Sequence, residues 1–510
     1  MELLWIFYGV IALFTLIIII VYFYLTRNFG YWKKRGVKEI SPTPFVGNCG
    51  KYFKFKKSLG ALFKNFYDEN PNSPYVGIYI IDEPCLLIRD PELIKRIFIR
   101  DFNFFTDKLM RSYKNDMSNK SLFFIDNPHW KYLRQKFSNL FTPSKMKSKF
   151  DSMLEIGRDL DDYLDKLQLE GSGKEIDVKD VSGKFMTDLI GFILFGLKCN
   201  SLKDPEAELR KFGKEMFGTY SFKRAIEISI IFLAPQFADL FRCKFIFGNA
   251  INSFKKIFQE VLDQRKNLKI KGNDFLDVII QLRDNKISPN GFELEGDNLL
   301  SQAVVFFAAG YEPSSSVMGF CLFELAKHRE IQNKLRNQIN NAIVKNNGKI
   351  TYEMLTEMQY LDMILSETLR KYPTMPIIDR KATSDYKIEE TGLVIKKGTA
   401  ILVPLLGLHY DPQYFPDPEK FDPERFSSDN KLRNPYVNMP FGLGSRGCIA
   451  SRLALLQVKL GLIIIISRFE MSLLKKTSIE FDKLSALSSS KGGLFLNIRK
   501  IEQNNIIKFE

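Results

Sequence analysis

Histidine is nearly missing from this 510-residue sequence; only His129, His328 and His409 occur. A multi-histidine metal centre is therefore excluded. The six cysteines, at 49, 85, 199, 243, 321 and 448, include no Cys-x-x-Cys pair. In so long a chain that argues against a disulfide framework or a zinc ribbon and for a reducing compartment. No internal repeat, low-complexity tract or interdomain linker of useful length is present beyond the first 50 residues; EGSGK at 170–174 and the stretch 288–298 read as surface connections. The formal net charge of +15 comes from scattered Lys and Arg residues. No zinc-finger, helix-turn-helix or RNA-platform pattern accompanies them, so nucleic acid is not expected as a partner. Such a surface suits an anionic membrane face or an acidic protein.

What the chain does have is one long apolar run. Residues 3–25 carry no charge, and as a helix they span about 34 Å, enough to cross a bilayer core. The run starts without a basic segment, unlike a cleaved signal peptide. Arg27, Lys33, Lys34, Arg35 and Lys38 follow it, against Glu2 before it, which keeps the body of the protein on the cytosolic side. This predicts a transmembrane anchor at 3–25, a basic, proline-rich linker at 26–50 (Pro42 and Pro44), and one large domain at 51–510. That domain reads as mainly α with a small β-sheet: helical periodicity dominates 151–345, and strand-like pieces occur at 75–89 and 393–403. The apolar stretch 299–326 holds Glu312 and three serines at its middle. Those groups would be costly in lipid, so a helix through the core, with its polar cluster facing a cavity, is expected.

The segment PFGLGSRGCIA, Pro440 to Ala450, is the most informative. Its glycines allow a tight turn and close approach to a flat ligand. A strongly apolar helix is expected to begin at Cys448, which would lower the pKa of that thiol. Arg446 offers a positive charge to an anionic ligand. Taken alone, the loop could also hold a buried structural thiol.

The spacing Phe441-x-x-Gly444-x-Arg446-x-Cys448 resembles the haem-binding loop of the cytochrome P-450 superfamily, with Ala450 in place of its final glycine. The resemblance covers the whole chain and implies the P-450 fold, haem as cofactor and Cys448 as the iron (metal) ligand. It also implies cofactor-binding roles for Phe441 and Gly444 in that loop. Trp130 and Arg134 resemble the family's W-x-x-x-R helix, and Arg380 matches a further arginine; with Arg446, all would contact haem propionates. Glu367 and Arg370 match E-x-x-R, and Arg425 in Pro423-Glu424-Arg425-Phe426 joins them to support the cysteine loop.

The central helix departs from the family's A-G-x-[DE]-T, reading Ala309-Gly310-Tyr311-Glu312-Pro313-Ser314. Pro313 supplies neither a hydroxyl nor an amide. Proton delivery is then expected from Glu312, with Ser314 as helper, and Gly310 is expected to let dioxygen or substrate approach. The departure also keeps open a haem-thiolate isomerase or dehydratase of lipid hydroperoxides, and a non-enzymatic haem-binding membrane protein.

Phrases such as YWKKRGVKEISPTPFVGN and AAGYEPSSS look like the microsomal subgroup containing insect family-six and vertebrate drug-metabolising enzymes. That likeness implies a monooxygenase of the endoplasmic reticulum membrane. Its electrons would come from NADPH through a reductase, with cytochrome b5 as a further partner. Its substrates would be apolar small molecules: xenobiotics, steroids or fatty acids. The pocket would be lined by Phe123, Phe124, Ala308, Ala309, Ile377 and Ile378. Residues 226–241 are expected to dip into membrane lipid.

Overall fold

The computed structural model describes residues 1–218, 221–246, 250–268, 274–284, 291–430, 434–475, 477–501 and 507–509; the expected connection at 288–298 therefore lies partly outside them. The helices that position the site are α1 (Glu2–Thr26), α2 (Leu59–Asp68), α3 (His129–Ser138), α4 (Phe150–Lys166), α5 (Val178–Phe195), α6 (Glu208–Phe217), α7 (Phe222–Leu233), α8 (Gly296–Lys327), α9 (Arg329–Lys345), α10 (Gln359–Lys371) and α11 (Ser451–Arg468). The strands are β1 (Tyr75–Ile80), β2 (Glu83–Ile88), β3 (Lys174–Asp177), β4 (Ile377–Lys381), β5 (Ala400–Pro404), β6 (Phe469–Leu473) and β7 (Phe495–Lys500).

One sheet has the order β1-β2-β5-β4 and a second has β3-β7-β6. β2 and β5 run parallel, pairing Leu86 with Ile401; the other pairings are antiparallel. A mainly helical domain with small sheets is what the sequence predicted.

Helix α8 runs through the middle, with nearly all of Leu299 to Leu325 buried. It packs on α5, α10 and α11 in the largest apolar cluster. Helix α5 shows how local chemistry sets these elements. Asp177 caps it by accepting from the amides of Lys179 (3.0 Å) and Asp180 (3.4 Å), and Gly196 ends it at φ 68°. The same Asp177 carboxylate accepts from the Leu494 amide (2.9 Å), which fixes the helix start beside β7.

Helix α1 stands apart: no residue in it is buried, and after Glu2 its side chains are uncharged and mostly apolar. It has the length and composition of a membrane span. The segment 26–50, expected as a linker, is instead laid along β1. Trp32 is fully buried and donates its indole Nε1–H to the Ile78 carbonyl (3.4 Å). The amides of Ile40 and Asn48 donate to the carbonyls of Gly77 (3.0 Å) and Tyr79 (2.8 Å). β1 is an edge strand, and its free backbone groups are what this segment covers. The packed body thus begins well before residue 51.

Candidate active site

The cysteine loop is built by its backbone. Cys448 N–H donates to the Phe441 carbonyl (2.7 Å), and a short 3-10 turn spans Gly444–Arg446. Gly444 sits at φ +67°, and a Cβ there would lie 2.0 Å from the Phe98 carbonyl oxygen. Only glycine fits. Helix α11 starts at Ser451 rather than at the cysteine, because the 3-10 turn and an extended Gly447 delay it. The expected lowering of the thiol pKa is accordingly not found. Burial pushes Cys448 up, opposed by the Ala450 amide and by the charges of Arg134 and Lys108.

Two residues deep in the fold are nevertheless exposed. One is Cys448, the only exposed cysteine of the six. The other is Ala309, at the middle of a helix that is otherwise buried around it. Each therefore borders open space rather than packed core.

The surroundings of Cys448 are strongly cationic. Arg446 lies with its guanidinium over the Trp130 ring (4.2 Å) and donates to the carbonyls of Thr106 and Ile125 (both 2.9 Å). Arg380 donates to the Leu443 carbonyl (3.3 Å) and covers Phe98 (4.5 Å). Burial, reinforced by Arg380, pulls Arg446 down to about 9; burial alone pulls Arg380 down to about 10. Lys108, which the sequence did not single out, stands over the Phe123 ring (3.6 Å) and is brought down to about 7, chiefly by burial. Arg134 is lowered for the same reason. Arg380 Nε and Arg446 Nη1 are buried without a hydrogen-bond partner. Four cations, Arg380 buried and the others half-buried, face the three carboxylates of Asp107, Asp126 and Asp379 and keep unmet donors, which a dianionic ligand would satisfy. The residues present fit a haem whose carboxylates meet Lys108, Arg134, Arg380 and Arg446 and whose iron meets Cys448.

Behind the loop lies a second charged group, paired apart from Arg425 Nε, which has an ion-pair contact but no hydrogen bond. Glu367 and Arg370, both 0 % exposed, bond at 2.6 and 2.8 Å. Arg370 also donates to the carbonyls of His409 and Pro418 (both 2.8 Å), and Glu367 accepts from the Asp422 amide (2.9 Å). Arg425 approaches Glu367 at 3.5 Å and donates to the Asp417 carbonyl (2.8 Å). His409, which sequence reasoning missed, connects this network to the loop. Its Nδ1 meets the Arg370 carbonyl (3.1 Å) and its Nε2 accepts from the Met439 amide (3.4 Å). One neutral tautomer satisfies both contacts, and burial brings the ring down to about 3.

On α8, Glu312 is buried and pairs with Lys179 of α5 (3.2 Å). Its carboxylate accepts from Ser316 (3.1 Å) and Ser489 (3.4 Å). The expected helper, Ser314, does not join it; its hydroxyl is buried without a partner. Ser316 takes that place because i,i+4 residues share a helix face. Gly310 also differs from expectation: a Cβ there would meet Ile190 Cδ1 at 2.5 Å, so the small residue serves the α5–α8 crossing.

The six expected pocket residues divide. Ala309, Phe123 and Ile378 keep exposed surface, whereas Ala308, Phe124 and Ile377 are buried in core clusters. Ile377 and Ile378 are neighbours on a strand and so face opposite sides. Ile378 shares its face with Arg380. Ile377 faces a narrow apolar groove with Leu59, Met110, Phe232, Leu233 and Met375.

An exposed thiol among cations with unmet donors fits a haem-thiolate site. The comparisons agree: the cytochrome P450 family model matches residues 38–496. The chain belongs to the cytochrome P450 family and is a P450 monooxygenase, which decides among the alternatives the sequence left open. It is 36% identical to cytochrome P450 6k1 of Blattella germanica, over 93% of this chain and 94% of that protein. It is 37% identical to cytochrome P450 6j1 of the same species, over 96% and 97%. With probable cytochrome P450 6g2 of Drosophila melanogaster the identity is 35%, over 93% and 95%. The likeness to insect family-six enzymes holds.

Proposed function

We propose that the chain is a microsomal monooxygenase that oxidises apolar foreign compounds, with electrons from NADPH delivered by a reductase. The observation that carries this reading is Cys448, an exposed thiol whose neighbouring charges are those of Arg134 and Lys108. Bound through Cys448, haem supplies the activation of dioxygen. The chain's own residues do the rest. Lys108, Arg134, Arg380 and Arg446 hold the macrocycle's carboxylates, and Trp130 and Phe98 lie under two of those guanidinium groups. Phe123, Ala309 and Ile378 offer apolar surface to a substrate held mainly by shape. Glu312, kept in place by Lys179, Ser316 and Ser489, is the nearest carboxylate to the Pro313 interruption, and we assign it proton delivery. Helix α3 turns Trp130 inward and Lys131 and Lys136 outward, a basic face suited to an acidic reductase or cytochrome b5. The anchor α1 and the exposed side chains Phe222, Ile226, Leu240 and Phe241 support attachment to the endoplasmic reticulum membrane, with the catalytic body on its cytosolic face.

The test begins with carbon monoxide bound to the reduced protein. A red-shifted Soret band is expected, lost in Cys448→Ala and kept when any other cysteine is replaced. NADPH with a reductase should then support oxidation across a panel of toxins, steroids and fatty acids. A normal band in Cys448→Ala, or turnover of hydroperoxides alone, would overturn the reading.

A further inference from the structure

The segment Lys51-Tyr52-Phe53-Lys54-Phe55-Lys56-Lys57 interleaves basic and aromatic residues. Lys51, Lys54 and Lys56 are exposed, while Phe53 and Phe55 are half-buried. None of those three lysines has an ion-pair partner among the described residues. A charge run on a solvated surface would not need aromatic residues turned inward between the charges.

Position gives this segment a partner. Phe55 packs edge-on against Phe222 (5.2 Å), the first residue of α7, which is 65 % exposed. Ile226 lies one turn further along α7, and Leu240 and Phe241 (72 % and 61 % exposed) follow the helix. The base of the anchor reaches the same region: Tyr22 packs edge-on against Phe45 (6.1 Å), and Arg27 pairs with the buried Asp82 (2.9 Å). The segment 26–50 between them is bonded along β1, so the anchor does not hang on a loose tether. The three lysines thus lie on a segment that packs on the exposed apolar start of α7 and follows the segment packed on the anchor's base.

We propose that Lys51, Lys54 and Lys56 bind anionic phospholipid headgroups, and that this contact holds Phe222, Ile226, Leu240 and Phe241 against the bilayer. The proposal rests on the membrane reading above and adds the lipid chemistry that reading leaves open. The acyl region takes the apolar side chains, and the headgroups take the ammonium groups that no carboxylate among the described residues meets. Each basic residue at an anionic surface is worth roughly a fivefold gain in binding, so three together give about a hundredfold. Salt weakens the effect, because the interaction falls off within a Debye length.

The experiment uses the full chain in nanodiscs of phosphatidylcholine alone or mixed with phosphatidylserine. Lysines are labelled with a water-soluble acylating reagent, and backbone amides are followed by hydrogen exchange. Labelling of Lys51, Lys54 and Lys56 should fall about tenfold or more in anionic discs and recover in high salt. Lys131 and Lys136 on α3 should label equally in both. The triple variant Lys51→Gln, Lys54→Gln, Lys56→Gln should lose the extra amide protection that anionic discs give to α7. If the amides of α1 are protected but the three lysines label equally in both discs, the headgroup site is wrong and the membrane reading stands. If the amides of α1 exchange freely, the membrane reading fails and the proposal falls with it.

Discussion

Two clusters of charge are buried on either side of the cysteine loop, and they are built in opposite ways. The Glu367–Arg370 group sits behind the loop, where nearly every donor and acceptor meets a partner from α10, the stretch around His409 or residues 417–425. The Lys108–Arg134–Arg380–Arg446 group sits in front, with cations outnumbering anions and two guanidinium nitrogens unmet. Complete pairing makes a cluster part of the scaffold, since its desolvation is already offset within the chain. Incomplete pairing leaves a strained charge that only a ligand relieves. Scaffold and binding site are thus distinguishable here by electrostatics alone.

The sharpest way to break the comparison is to remove one charge from each cluster. Glu367→Gln strands the buried Arg370 and should cost about 3–5 kcal/mol, leaving little folded protein by thermal unfolding or expression yield. Arg446→Leu should leave the melting temperature of the haem-free chain unchanged or higher, because it removes a charge already disfavoured by burial. Haem titration of the same variant should show a clear loss of affinity. Equal destabilisation by both changes would erase the distinction.

Glu312 tests a middle case, a carboxylate with partners that also stands near the open face of α8. Glu312→Gln should lower product formed per NADPH by about 10²-fold, the lower end of general-acid assistance, and divert electrons to peroxide with haem content unchanged. Ser316→Ala should have a smaller effect. Ser314→Ala should leave coupling near that of the parent, because it removes a hydroxyl bonded to nothing. If Glu312→Gln preserves coupling, Glu312 belongs with the scaffold.

The smallest effect concerns pH. Folded His409 stays neutral down to about 3, whereas in the unfolded chain it takes a proton below about 6.5. Between those values the unfolded state binds more protons, so stability falls as pH falls, by about 1.4 kcal/mol per pH unit well below 6.5. Urea unfolding between pH 7 and 5 should show this slope, and His409→Asn, which cannot charge, should flatten it.

Much of this site was legible in the sequence because its chemistry needs fixed residues at fixed spacings. The cysteine loop, the E-x-x-R pair with Arg425 and the arginines at 134, 380 and 446 each sit in short local patterns, and the structure brings them together. Lys108 and His409 carried no such pattern. Each matters through partners far away in the chain, Lys108 through Asp379, Arg380 and Arg446, and His409 through Arg370 and Met439.

The sequence by itself determined the long apolar helix near the N-terminus, the mainly helical class and the Cys448 loop, because hydrophobic periodicity and backbone turn chemistry are local properties. Only the tertiary structure decided which serine meets Glu312, which isoleucine faces the groove, where α11 begins and that residues 26–50 belong to the body. Those outcomes depend on helix faces, strand alternation and an edge strand to be covered, and each exists only once distant segments have packed.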